Sequence, residues 1–135
     1  MANFELHSQL ARDSIHLADW PLSQVRVLND ANFPWFILVP RVAQVNEIID
    51  LSEPDQQQLW QESGFLSHWL KAEYRPDKLN VAAIGNKVPQ LHLHHIARFS
   101  HDPVWPDPVW GKLPAQPLSE DEVVRLQNIF AELTL

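Results

Sequence analysis

Cysteine is absent from the 135 residues. That excludes a disulfide framework, cysteine-ligated zinc and thiol catalysis together. Glycine is scarce: Gly64, Gly85 and Gly111 are the only three, too few for a glycine-rich phosphate loop, so neither a P-loop nor a Rossmann dinucleotide fingerprint is present. No run approaches the roughly 20 apolar residues of a membrane span, and the opening "MANFELHSQLARDS" has no basic segment leading into an apolar one. The expectation is a cytoplasmic protein without a membrane partner. Basic residues are also in the minority, 10 against 17 acidic for a net charge of −7 with histidine neutral. A chain of that sign has no broad attraction for phosphate backbones, so bulk nucleic acid is not expected as a partner. A small anionic ligand held by a few placed donors is compatible with it.

What is present suits one globular domain over residues 1–135. The length allows a single core without staples, and the apolar share of 45% with 20% charged residues is ordinary for a folded protein. There is no internal repeat or low-complexity tract. "SQVRVLND" and "PWFILVPR" read as an antiparallel hairpin whose second strand is the more deeply buried. "LSEPDQQQLWQESGFLSHWLKAEY" predicts a helix from about Glu53 to Tyr74: Ser52 caps it, Pro54 suits its first turn, and Leu59, Leu66 and Leu70 recur at helical spacing. Gly64 lies inside that helix at a cost of roughly 1 kcal/mol, which contacts of Trp60 and Phe65 would offset. "KLNVAAIGN" and "QLHLHHIARF" predict a second hairpin, with the latter strand running from 90 to 98.

Residues 100–118 hold five of the eleven prolines together with Trp105 and Trp110, which predicts a long ordered loop packed by those two rings. From Ser119 a capping box with Glu122 opens an amphipathic helix to about residue 133, with Val123, Leu126, Phe130 and Leu133 on one face. Hairpins and helices in blocks indicate an α+β architecture, an antiparallel sheet with one long helix and a C-terminal helix.

The densest chemistry lies in "KVPQLHLHHIARF", where three of the seven histidines fall within four residues. On a strand, residues two apart share a face about 6.6 Å from one another. Gln90, His92, His94, Ile96 and Arg98 therefore point one way, and Leu91, Leu93, His95 and Ala97 point to the core. His95 reads as a partly buried histidine without a chemical role. For His92 and His94 two chemistries compete. A His-x-His pair can bind a transition metal through two imidazole nitrogens, given a third ligand such as His68 or His101. The carboxylate that usually accompanies such a pair is missing from "HHIARFSH", and Asp102 lies beyond the strand. Alternatively, one imidazole attacks phosphorus while its neighbour assists the leaving group.

"QLHLHHIAR" resembles the signature of the histidine-triad superfamily of nucleotide hydrolases and transferases, His-φ-His-φ-His-φ-φ, often followed by Pro-Arg. "VRVLNDANFPWFILVPR" resembles that family's first hairpin, and the long helix and "KLNVAAIGNKVP" follow in the family's order, so that residues 25–99 are covered. The chain more closely resembles a bacterial subgroup with glutamine at the head of the triad. The resemblance implies that His92 forms a covalent nucleotidyl-histidine, that His94 lies toward the leaving group, and that Gln90 fills the first catalytic position with an amide that holds geometry but does not titrate.

It further implies substrate-binding roles for Asp30, which would accept from the ribose hydroxyls, and for Arg98. Asn86 and Lys87 would replace the phosphate contacts that relatives make near Ile84. Ala97 stands where the family has proline, and Trp35 stands near an additional histidine of some relatives. The expected substrate is a nucleoside phosphate ester, anhydride or phosphoramidate, with no cofactor and a homodimer as the assembly. A nucleotide-binding module without turnover is the alternative, and a metal-binding protein is a more distant one.

Overall fold

The computed structural model describes residues 3–135. Five strands form one antiparallel sheet: β1 (Ser14–Asp19), β2 (Ser23–Leu28), β3 (Trp35–Pro40), β4 (Lys78–Ala82) and β5 (Leu93–Arg98). Their spatial order is β1-β2-β3-β5-β4, so β5 enters between β3 and β4. The helices are α1 (Ser8–Asp13), α2 (Glu53–Tyr74) and α3 (Glu120–Glu132), with a single 3-10 turn at Ile48–Asp50. The α+β class, both hairpins and both long helices agree with the sequence analysis. Among the described residues no helix is long and apolar enough to cross a membrane.

Helix α2 starts where its residues require. Ser52 Oγ accepts from the Asp55 amide, Glu53 and Asp55 place negative charge in the first turn, and Arg75 closes the helix in the left-handed region at φ 50°. Trp60 does not supply the offset for Gly64 expected of it, because its side chain is 55% exposed; Phe65 does pack inward, edge-on to Trp20 at 5.3 Å. In α3 the capping box is only half made. Ser119 Oγ accepts from the Glu122 amide, but the Glu122 carboxylate turns to Arg125 instead of back to the cap.

The sheet has two unlike faces. On one, α2 and α3 cover a continuous core of Val25, Val27, Phe36, Leu38, Leu91 and Leu93 against Leu59, Leu66, Leu70, Leu126 and Phe130. Each large side chain buried there contributes roughly 1.5–3 kcal/mol. Glu62 is fully buried at the edge of this core, where its two oxygens accept from the Leu22 and Ser23 amides and so hold α2 to the start of β2. The opposite face carries two separate clusters. Leu10, Ile37, Val39 and Val88 gather under α1, and Phe33, Ile96 and Val109 gather under the proline-rich loop. Between those clusters the sheet is incompletely covered, which leaves a cleft.

The signature strand is shorter than expected. It begins at Leu93 rather than Gln90 because the preceding residues bond elsewhere: the Leu91 amide donates to Val45 O, and the Gln90 side chain ties to the N-terminal segment. The connection from β4 passes through Gly85 at φ 65°, a left-handed position that suits glycine.

Candidate active site

The register of β5 decides what faces the cleft. Ile37 pairs with His94 and Trp35 with Ile96 across the β3–β5 ladder, while Phe36 pairs with His95. Paired residues share a face, so His94, Ile37 and Trp35 meet on the incompletely covered side and His95 joins the helical core. His95 is fully buried, its Nδ1–H donating to Leu93 O at 3.1 Å and its Nε2 accepting from Ser63 Oγ of α2 at 2.8 Å. It is more deeply buried than the partly buried residue expected. Burial holds its pKa down at about 4.

His92 and His94 lie with ring centroids 4.8 Å apart and planes at 68°. The Nδ1 of His92 is 2.7 Å from the Gln90 carbonyl oxygen. A carbonyl only accepts, so this nitrogen bears the proton and Nε2 keeps its lone pair. Burial lowers the His92 pKa, His7 lowers it further, and the bond to Gln90 O opposes both. The His94 ring meets a different partner: Trp35 Nε1–H donates to its Nδ1 at 2.9 Å. Burial first, and then the neighbouring His92 and His95, hold the His94 pKa at about 3. Both rings are therefore neutral near pH 7, with opposite tautomers.

Both line a cavity of about 470 Å³, shared with Asn86, Lys87, Ile84 and Leu10. A second cavity of about 450 Å³ holds Asp30, Asn29, Arg12 and Phe33. The two adjoin along Asp13, Leu28, Trp35, Trp110 and Gly111, which border both. Asp30 is set by its turn: Oδ1 accepts from Asn32 N, Asn32 Nδ2 and Gln116 N. Its Oδ2 has no partner among the described residues. Asn86 and Lys87 are exposed on the cavity rim.

Two predicted site residues stand apart from this group. Gln90 turns its amide away from the cavity, accepting from His7 N at 2.8 Å and donating to Glu5 O at 2.8 Å. Arg98 is 1% exposed and lines neither cavity. Its guanidinium donates to both Asp102 oxygens and to Asn80 Oδ1, and it lies over the rings of Phe33 and Trp105. The pairing with Arg98 depresses the Asp102 pKa strongly.

Trp110 borders both cavities, whereas Trp105 lies on Arg98. Among the described residues no three His, Cys, Asp or Glu side chains converge to hold a metal ion. His68 is exposed on α2, behind the sheet, and His101 stacks on Phe99. Sequence reasoning missed Trp35 as a partner of His94, and missed α1, whose Leu10 and Asp13 wall the cleft. The available signal for Trp35 was its offset of two residues from Ile37 on a strand beside the histidines.

The fold is shared with known proteins. A family model described as the HIT domain matches residues 10–101. Solved structures of histidine triad proteins superpose closely: that from Bradyrhizobium japonicum is 46% identical with a TM-score of 0.93, over 96% of this chain and 97% of its own. That from Marinobacter aquaeolei VT8 is 46% identical with a TM-score of 0.92, over 94% and 93%. Among curated proteins, a bis(5'-adenosyl)-triphosphatase of Saccharomyces cerevisiae is 30% identical over 82 residues, 57% of this chain but only 39% of the yeast protein.

Proposed function

From the premise that this chain belongs to the HIT domain family, we propose that it is a nucleotide hydrolase or nucleotidyl transferase working through a covalent nucleotidyl-histidine. The observation that carries the reading is the bond from His92 Nδ1–H to Gln90 O, which leaves Nε2 as a free lone pair in a cavity beside His94. A nucleophilic imidazole needs that tautomer. The substrate's ribose hydroxyls would be taken by Asp30 Oδ2 and its phosphates by Asn86, Lys87 and the two histidines. Neither Gln90 nor Arg98 touches the substrate with its side chain in this proposal. Gln90 supplies the carbonyl that orients His92, and Arg98 anchors the loop that carries Trp110.

His92 Nε2 attacks the α-phosphorus, forming an N–P bond as the bond to the leaving group breaks and its electron pair departs with that group. Water then forms a new O–P bond, the N–P bond returns its pair to Nε2, and the water proton passes to solvent. The yeast relative's name, a triphosphatase of bis(5'-adenosyl) compounds, supports a nucleoside polyphosphate as the substrate. The protein is proposed to act in the cytoplasm as a homodimer joined along the free edge of β4.

The test is turnover of dinucleoside polyphosphates and adenosine phosphoramidates by the parent and by His92→Ala. The expected result is a loss of at least about a thousandfold in kcat for the variant, the scale on which removal of an attacking group acts. Equal turnover would reject His92 as nucleophile. Nucleotide affinity by calorimetry without any product would replace hydrolysis with binding.

A further inference from the structure

We infer that Trp35 is a positioning residue that holds His94 as a neutral Nε2–H hydrogen-bond donor, confining the protein to substrates whose leaving group departs as a weakly basic oxyanion: phosphoanhydrides rather than phosphoramidates or alkyl esters. The substrate half of this inference rests on the proposed function; the Trp35–His94 half does not.

An indole N–H donates and cannot accept. With Trp35 Nε1 2.9 Å from His94 Nδ1, that nitrogen must be the bare one, and the single proton of a neutral ring goes to Nε2. An imidazolium would set a second N–H against the indole N–H, losing one bond and gaining a repulsion. Trp35 is fixed in that attitude. It opens β3 opposite Ile96 and meets Phe33 at 6.4 Å and Trp110 at 5.8 Å, both edge to face. Trp110 also stands edge-on to His94 at 5.2 Å, so the three rings brace one another.

The titratable groups around His94 do not counter this. His92 faces it across 4.8 Å and His95 follows it on the other side of the sheet. Lys87 and Asp13 share its cavity wall, and Arg12 and Asp30 border the adjoining one. Among the described residues no carboxylate hydrogen-bonds either ring of the pair. Burial and the two neighbouring histidines act in the same direction as Trp35, toward the neutral ring.

The chemical consequence follows from electron bookkeeping. When His92 Nε2 closes its bond to phosphorus, the leaving group takes the pair of the bond that breaks. An amine or alcohol leaving in that way is a strongly basic anion and needs a full proton as it goes. A neutral imidazole N–H is too weak an acid to provide it. A phosphate or nucleotide leaving group is stable as its anion and requires only the hydrogen bond that His94 Nε2–H offers, taking any later proton from solvent.

The experiment pairs spectroscopy with kinetics. Long-range proton–nitrogen spectra of the unliganded parent, labelled at histidine and with His94 assigned through the His94→Gln variant, should show Nδ1 without a proton and Nε2 with one, unchanged down to about pH 5. In Trp35→Phe, which keeps an aromatic ring and removes the donor, the two tautomers should mix and the ring should titrate at higher pH. In parallel, kcat/KM for diadenosine triphosphate over that for adenosine phosphoramidate should exceed about a hundredfold in the parent and fall at least tenfold in Trp35→Phe. A proton on Nδ1, or mixed tautomers, in the parent overturns the positioning role. A ratio near one that Trp35→Phe leaves alone overturns the substrate assignment. Turnover of neither compound removes that assignment together with the proposed function, while the parent spectrum still decides the Trp35–His94 bond.

Discussion

Three histidines within four residues have three different fates, set by the face of the sheet each ring takes and the partner it finds there. His92 meets a carbonyl, His94 meets an indole, and His95 meets a serine hydroxyl beneath the sheet. The depressed pKa values make a prediction about stability. Unfolded, each ring protonates near 6.5; folded, His95 does so at about 4 and His94 at about 3. Between those values the unfolded chain binds protons that the folded chain refuses, so stability rises with pH across this window and is lost as pH falls from about 6.5 toward 3. Urea midpoints measured from pH 7.5 to 4 should therefore decline steadily below about pH 6.5. In His95→Gln the decline should be shallower, because one of the groups responsible is gone. A flat profile in the parent would contradict the buried neutral rings. Activity follows the same sign: His92 must be unprotonated to attack, and its lowered pKa extends the active range below the ordinary histidine midpoint.

Elements show where local rules were obeyed and where distant partners overruled them. Helix α2 runs between the bounds that its cap and periodicity predict. Gly64 is the weak position in it. A Cβ there would meet no atom within 4 Å. Gly64→Ala should therefore raise stability by roughly 1 kcal/mol, read as a higher denaturant midpoint at unchanged slope. An unchanged or lower midpoint would mean that glycine serves a purpose other than permissive backbone. Strand β5, by contrast, starts three residues later than its alternation implies, because Val45 and the segment from Glu5 to His7 compete for the same backbone and amide groups. Competition of that kind is between residues more than forty positions apart, and no window of sequence contains it. The N-terminal α1 and β1 went unread although "SIHLAD" does alternate. Ile15 and Leu17 were there to be seen, but a six-residue edge strand carries little pattern of its own.

At the scale of the molecule, the sheet ends in two unlike edges. Strand β1 packs against α1 and α3, whereas β4 at the other edge is half exposed and carries Val81 and, just beyond it, Ile84 at 40% and 44% exposure. Natural proteins seldom leave an apolar strand edge unprotected. The proposed homodimer along β4 thus predicts a light-scattering mass near twice 15.6 kDa. Val81→Lys, which puts a charge on that edge, should shift the mass toward the monomer. A monomeric parent at tens of micromolar would set the pairing aside.

The primary sequence alone determined the fold class, the two hairpins, the bounds of α2 and the side of the sheet on which His92 and His94 stand. All of these follow from periodicity and local caps, which act over a few residues. Only the tertiary structure decided that Gln90 clasps the N-terminal segment, that Arg98 is spent on Asp102 and Asn80, and that Trp35 reaches His94 Nδ1. Those outcomes depend on which donor finds which acceptor once the chain has closed, and hydrogen bonding between distant residues leaves no period to read.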